Sequence, residues 1–153
     1  MPLPDPPDSD PAVRSGPTEL PEAGCRILLV DDDPFVRNSL LAVLQRAGCT
    51  VVAAENGKVA LSLLAKQTFD WLVTDLVMPE MEGMELIRAV RLTHPQLRIL
   101  AMSGGGRVAP CNYLPMARLL GAHRVLEKPF LFADLLAVLR DSTPAPVPGS
   151  PLP

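Results

Sequence analysis

Residues 26–34 read RILLVDDDP, and this stretch sets the expected architecture. The run Arg26–Val30 has the length and apolar character of a buried β-strand. Three acids follow it, and Asp33 stands directly before Pro34, which is the pattern of an N-cap residue with proline at the first helical position. Apolar residues then recur at roughly helical spacing up to Gly48. The stretch therefore predicts a strand that leads directly into a helix.

The same strand–helix unit recurs along residues 25–140. Further short apolar runs predict strands at Thr50–Ala54, Trp71–Thr74, Arg98–Met102 and Arg124–Glu127. Amphipathic runs predict helices that start near Asn56 and that span Gly83–Thr93, Tyr113–Leu120 and Phe132–Arg140. Five strands alternating with five helices indicate an α/β fold with a doubly wound parallel sheet covered on both faces. In such a sheet, ligands bind at the carboxyl ends of the strands.

Composition excludes several classes of function. The 153 residues suit one domain, and a net charge of -3 gives no reason to expect nucleic-acid binding. No apolar run approaches the ~20 residues of a membrane span, and no secretory signal precedes the first strand, so we expect a cytoplasmic protein. Cys25, Cys49 and Cys111 are odd in number and form no CxxC pair, and we interpret them as reduced thiols.

Proline marks the boundaries of the predicted domain. Of 18 prolines, seven lie in residues 1–21 and five in residues 144–153. We interpret residues 1–24, which carry five acids and one base, as a disordered acidic extension, and residues 141–153 as a disordered tail. A proline-rich docking peptide is the alternative for these segments. Residues 25–140 are the expected domain.

Polar side chains follow four of the five predicted strands. Asp31 and Asp32 follow the first, Asp75 the third, Ser103 the fourth and Lys128 the fifth. Each alone has an ordinary explanation as a cap, turn or surface residue. Together they put several carboxylates and only one ammonium at one edge, so a divalent cation with oxygen ligands, Mg²⁺ or Mn²⁺, is implied. A carboxylate in such a site can form an aspartyl phosphate.

These residues resemble the receiver domains of bacterial two-component response regulators. The matching strings are ILLVDDDP (27–34), DWLVTDLVMPEMEGMEL (70–86), ILAMSGG (99–105) and VLEKPF (125–130). The resemblance implies a flavodoxin-like fold with strand order 2-1-3-4-5. It also implies that Asp75 is the phospho-acceptor, and that Mg²⁺ is held by Asp31, Asp32, Asp75 and the backbone carbonyl of Val77.

The resemblance assigns the remaining roles at the same edge. Ser103 corresponds to a switch hydroxyl and Lys128 to the lysine that pairs with the phosphoryl group, with a cis bond to Pro129. Pro79 and Gly83 would shape the loop after Asp75.

The chain departs from the family pattern at Val125, where an aromatic switch residue is frequent. We therefore expect the switch to run through Ser103 and the loop that precedes Tyr113, although that loop could equally be a plain connector. Val77 and Gly105 bring no polar side chain that could orient an attacking water, which predicts slow self-dephosphorylation.

The expected function is a stand-alone signalling switch, since only 13 residues follow Arg140 and no output domain is apparent. Partners would be a sensor histidine kinase or a phosphotransfer protein upstream and an unidentified protein target downstream. An aspartyl-phosphate phosphohydrolase is one alternative, but Val77 stands where such an enzyme would carry its second acid. A receiver-like adaptor that is never phosphorylated is another. We expect no enzymatic activity.

Overall fold

The computed structural model describes residues 25–76, 83–104 and 113–140, and these ranges hold five strands and five helices in alternation. The strands are Arg26–Val30 (β1), Thr50–Ala54 (β2), Trp71–Asp75 (β3), Arg98–Gly104 (β4) and Arg124–Lys128 (β5). The helices are Pro34–Arg46 (α1), Gly57–Lys66 (α2), Gly83–Thr93 (α3), Tyr113–Leu120 (α4) and Phe132–Leu139 (α5). No helix in these ranges is long and apolar enough to cross a membrane.

All five strands are parallel and lie in the order β2-β1-β3-β4-β5, which confirms the predicted fold and strand order. Three strands extend further than the sequence pattern predicted, to Asp75, Gly104 and Lys128. The reason is strand pairing: Asp75 pairs with Met102, and Gly104 pairs with Lys128. Asp75 and Lys128 are therefore the last residues of their strands, and Ser103 is the last but one of β4, so none of them lies after its strand.

The sheet separates two apolar cores. Ile27 and Leu29 of β1 pack on the side of α1 and α5, whereas Leu28 and Val30 pack on the side of α2, α3 and α4. All four side chains are fully buried, and each such aliphatic side chain contributes roughly 1.5–3 kcal/mol. Strand alternation thus explains why the runs are continuously apolar: both faces of each strand are covered.

Side-chain caps fix where two helices begin. The Asp33 carboxylate accepts hydrogen bonds from the backbone N–H groups of Phe35 (2.9 Å) and Val36 (3.4 Å), which confirms its predicted capping role. Asn56 caps α2 in the same way through the N–H of Val59. Both helices therefore start at the carboxyl edge of the sheet and run back towards its amino edge.

Two cysteines that are distant in sequence meet at the amino edge of the sheet. Cys25 and Cys49 are free and buried, and their thiols are hydrogen-bonded to each other. This hydrogen bond and burial raise the pKa of the Cys49 thiol far above its ordinary value, so it stays protonated at neutral pH. Cys111 lies outside the described residues, as do the expected segments 1–24 and 141–153 and residues 105–112 of the loop that precedes Tyr113.

Candidate functional site

Three carboxylates meet at the carboxyl edge of the sheet. Asp31, Asp32 and Asp75 each offer an oxygen atom, and these atoms all lie within 4.8 Å of one another. Asp31 comes directly after β1 and Asp75 ends the neighbouring β3, where Val30 pairs with Thr74. Asp31 and Asp75 are buried, whereas Asp32 is exposed. The pairing of β1 with β3 therefore brings together acids that are far apart in the chain.

Lys128 supplies the cation of this cluster. Its Nζ lies 3.2 Å from Oδ2 of Asp31 and 3.5 Å from Oδ2 of Asp75. The lysine reaches them from β5, which is separated from β3 by β4. One ammonium is thus shared between two buried carboxylates, and a net negative charge remains. Such a cluster favours a second cation, because like charges at this spacing destabilise one another.

Short hydrogen bonds hold the two buried acids in place. The backbone N–H of Asp33 donates to Oδ1 of Asp31 (2.9 Å), and Nη1 of Arg37 donates to the Asp31 carbonyl oxygen (2.8 Å). The Thr74 hydroxyl donates to the Asp75 carbonyl oxygen (2.9 Å). Arg37 and Thr74 were not among the site residues predicted from the sequence. Arg37 could have been found only by placing the first turn of α1 beside the end of β1.

Gly83 allows α3 to begin against the backbone at the end of β3. A β-carbon at this position would lie 2.0 Å from the carbonyl oxygen of Asp75 and 2.6 Å from Cα of Leu76. The N–H of Gly83 also donates to the Leu76 carbonyl oxygen (2.9 Å). Glycine is required here for close approach, and the contact ties the start of α3 to Asp75.

The structure also shows where the other predicted site residues lie. Ser103 is buried in β4, one residue beyond Met102, the partner of Asp75. The Lys128–Pro129 peptide bond is cis, as the resemblance implied. Val125 packs against the core on the side of α2, α3 and α4. Val77 lies outside the described residues, so its proposed metal-binding carbonyl stays a prediction.

Exposed apolar side chains border the acidic cluster. Phe35 near the start of α1 is 79% exposed, and Leu131 and Phe132 at the start of α5 are 71% and 47% exposed. Helices α1 and α5 lie on one side of the sheet and both begin at its carboxyl edge. The cluster therefore sits beside a rim of uncovered apolar surface, here called the apolar rim, defined by Phe35, Leu131 and Phe132.

The donor atoms of the cluster fit a small hard cation. The three acids offer only oxygen atoms, which is the ligand type of Mg²⁺ and Mn²⁺, and no imidazole or thiolate joins them among the described residues. The charge agrees, since the three carboxylates outnumber the single Lys128 ammonium. Asp31, Asp32 and Asp75 are the residues that would hold the ion.

Comparison with known proteins points to one family. Residues 27–140 match the model of the response regulator receiver domain. The receiver protein CpdR of Brucella abortus is 39% identical over 113 residues, covering 72% of this chain and 90% of CpdR. The response regulator MprA of a Mycobacterium species is 39% identical over 134 residues, which cover 82% of this chain and 55% of MprA.

Solved structures agree with the sequence relatives. The chemotaxis protein CheY4 of Vibrio cholerae is similar with a TM-score of 0.69 and 32% identity, over 77% of this chain and 98% of CheY4. The response regulator TrrA of Thermotoga maritima, solved in complex with Mg²⁺ and BeF, is similar with a TM-score of 0.67 and 28% identity, over 76% of this chain and 96% of TrrA.

Proposed function

Because the chain belongs to the response regulator receiver family, we propose that it is a phosphorylation-dependent switch in which Asp75 accepts a phosphoryl group in the presence of Mg²⁺. Receiver domains act as switches in two-component signalling. The phosphoryl donor would be a sensor histidine kinase or a histidine phosphotransfer protein. The output would be a change in contacts with another protein.

One observation carries this proposal: two buried acids share a single lysine at the carboxyl edge of the sheet. Lys128 lies 3.2 Å from Asp31 and 3.5 Å from Asp75. Burying charged groups costs several kcal/mol for each ion, and a purely structural edge has no need of this arrangement. A site that must bind a cation and then accept further negative charge does need it.

The proposed reaction transfers a phosphoryl group between two side chains. A carboxylate oxygen of Asp75 attacks the phosphorus of a phosphohistidine, a new P–O bond forms, the P–N bond breaks, and the imidazole of the donor leaves. Asp75 is suited to attack, because hydrogen bonding and pairing with Lys128 hold its position at the end of a rigid strand. A bound divalent cation would supply charge neutralisation.

Phosphorylation would change which partner Lys128 pairs with. In the unmodified protein, its ammonium lies between Asp31 and Asp75. A phosphoryl group on Asp75 adds charge and strong acceptor oxygens, so the ammonium would move towards it. The Ser103 hydroxyl on the adjacent strand would donate to the same group. These movements would shift the conformational equilibrium of β4 and of α4, which follows it in the chain. Helix α4 carries two exposed apolar side chains, Met116 (49%) and Leu119 (72%).

The apolar rim supports the proposed contact with a protein that donates the phosphoryl group. A protein donor must bring its phosphohistidine to Asp75, and it has to contact whatever surrounds the acidic cluster. Phe35, Leu131 and Phe132 offer apolar area there, and uncovered aromatic and aliphatic side chains of this kind are typical of contact sites.

Labelling with a small phosphodonor tests the site assignment. Incubation with acetyl phosphate and Mg²⁺ should add one phosphoryl group, detectable by intact mass. Asp75→Asn should take up none, and Lys128→Ala should take up less. Glu55→Gln is the matched control, because Glu55 is an exposed acid at the same edge of the sheet, and it should behave as the wild type. Equal labelling of Asp75→Asn and the wild type would show that the acceptor is elsewhere.

A further inference from the structure

Charge is distributed unevenly between the two edges of the sheet. The amino edge, opposite the acidic cluster, carries eight bases from strand starts and helix ends, here called the basic edge. They are Arg26, Arg46, Lys66, Arg91, Arg98, Arg118, Arg124 and Arg140. Among the described residues at this edge, Asp70 is the only acid, and one of its oxygens accepts a hydrogen bond from the N–H of Arg26.

The positive potential at this edge extends into the interior. Arg91 is 8% exposed, and its guanidinium donates to the carbonyl oxygens of Gly121 (2.7 Å) and Pro95 (2.9 Å). Nη2 of Arg91 has no hydrogen-bond partner among the described residues, and neither have Nε2 of His123 and Nε1 of Trp71. Burial and three nearby arginines lower the pKa of His123 to about 4. Among the described residues, the eight bases of the basic edge therefore outnumber its single acid, Asp70.

The chain carries a segment of opposite charge that enters the fold at this same edge. Residues 1–24 contain five acids and one base. The segment joins the sheet at Cys25, directly before β1, and β1 begins at the amino edge. Its negative charge is thus tethered beside the basic edge, so its effective concentration there is high.

The acidic segment is long enough to reach the bases at the start of the neighbouring strands. Arg98 and Arg124 begin strands that lie two and three positions from β1, which corresponds to about 10 and about 14 Å at the usual strand spacing. Proline-rich chain extends by about 3.1 Å per residue. Glu22 and Glu19 can therefore reach about 12 and about 22 Å from Arg26, which spans both arginines.

We propose that the acidic segment 1–24 docks on the basic edge, with Glu19 and Glu22 placed against Arg98 and Arg124. The segment then covers the positive surface and competes with any other polyanion for it. This interaction lies at the edge opposite Asp75, so it is independent of the proposed phosphorylation and can be tested without it.

Two double variants of the full chain test the docking. Glu19→Gln/Glu22→Gln removes two charges from the segment. Glu55→Gln/Glu85→Gln removes two exposed acids from the opposite edge and is the matched control. Glu55 and Glu85 lie outside the buried core. Amide signals of residues 97–99 and 123–125 are compared by NMR at low and at high salt, and the affinity for polyglutamate is measured for each variant.

We expect Glu19→Gln/Glu22→Gln to shift the amide signals of residues 97–99 and 123–125 and to bind polyglutamate about fivefold more tightly than the wild type. Both differences should vanish at 1 M salt, where exposed charges are screened beyond about 3 Å. The control should show neither. Equal affinity of the wild type and Glu19→Gln/Glu22→Gln for polyglutamate would mean that the basic edge takes an external polyanion instead. That result, or signal shifts confined to the carboxyl edge, would overturn the proposal.

Discussion

Replacement of Gly83 by alanine should separate the start of α3 from the end of β3. The added β-carbon would lie 2.0 Å from the Asp75 carbonyl oxygen and 2.9 Å from its carbonyl carbon, whereas ordinary contacts begin near 3.4 Å. The atoms it meets belong to backbone, so no side chain can rotate away. Helix α3 or the end of β3 has to retreat by about 1 Å or more, and overpacking of this kind costs about 3 kcal/mol.

Two measurements check this prediction. Thermal unfolding of Gly83→Ala should occur roughly 10 °C below that of the wild type. Labelling by acetyl phosphate should slow by roughly 10- to 100-fold, because a displacement of about 1 Å at a reacting group has that scale of effect. The proper control is Gly104→Ala, which adds the same methyl group at a place where no atom of the described residues lies within 4 Å.

The outcome separates close approach from a general intolerance of alanine. Gly104→Ala should keep the melting temperature of the wild type within a few degrees. If Gly83→Ala and Gly104→Ala have the same melting temperature, the contact between α3 and Asp75 is not the reason for glycine at position 83.

Three further predictions concern other parts of the molecule. The folded-state pKa of His123, about 4, lies below its ordinary value of 6.5, so the unfolded chain takes up a proton that the folded chain excludes, and stability is lost as the pH falls from 6.5 to 4. Over this range the free energy of unfolding, measured with denaturant, should fall by roughly 2 to 3 kcal/mol more for the wild type than for His123→Gln. Equal losses would contradict a lowered pKa of His123. Phe35→Ser should slow phosphotransfer from a protein donor roughly tenfold while labelling by acetyl phosphate is unchanged; Leu92→Ser, which is equally exposed but lies on α3, should do neither. Phosphorylated wild type should keep its label longer than Val77→Asn, and a faster loss from the wild type would refute slow self-dephosphorylation.

Most of the fold could be predicted from the sequence, because its determinants are local. The start of α1 depends on Asp33 and Pro34, which act within one turn. The continuous apolar character of β1 and β3 indicates strands that are buried on both faces. Glycine at positions 48 and 121 adopts positive φ, which ends a helix without strain.

The candidate site was predicted in composition but not in geometry. Asp31, Asp32, Asp75 and Lys128 could be assembled from the rule that strand ends share an edge. Strand pairing decides that Lys128 reaches across β4 to two buried acids. The packing of α1 decides that Arg37 holds the backbone of Asp31. Those are contacts between residues distant in the chain, and no local pattern encodes them.

The sequence by itself therefore determined which segments become strands and helices, and which side chains arrive at the carboxyl edge. Only the tertiary structure decided where each strand ends, that Gly83 touches the backbone of Asp75, that Cys25 meets Cys49, and that the helix ends assemble a basic edge. The physical reason is that caps, turns and hydrophobic periodicity act over a few residues, whereas close approach, pairing and electric field depend on the whole packed sheet.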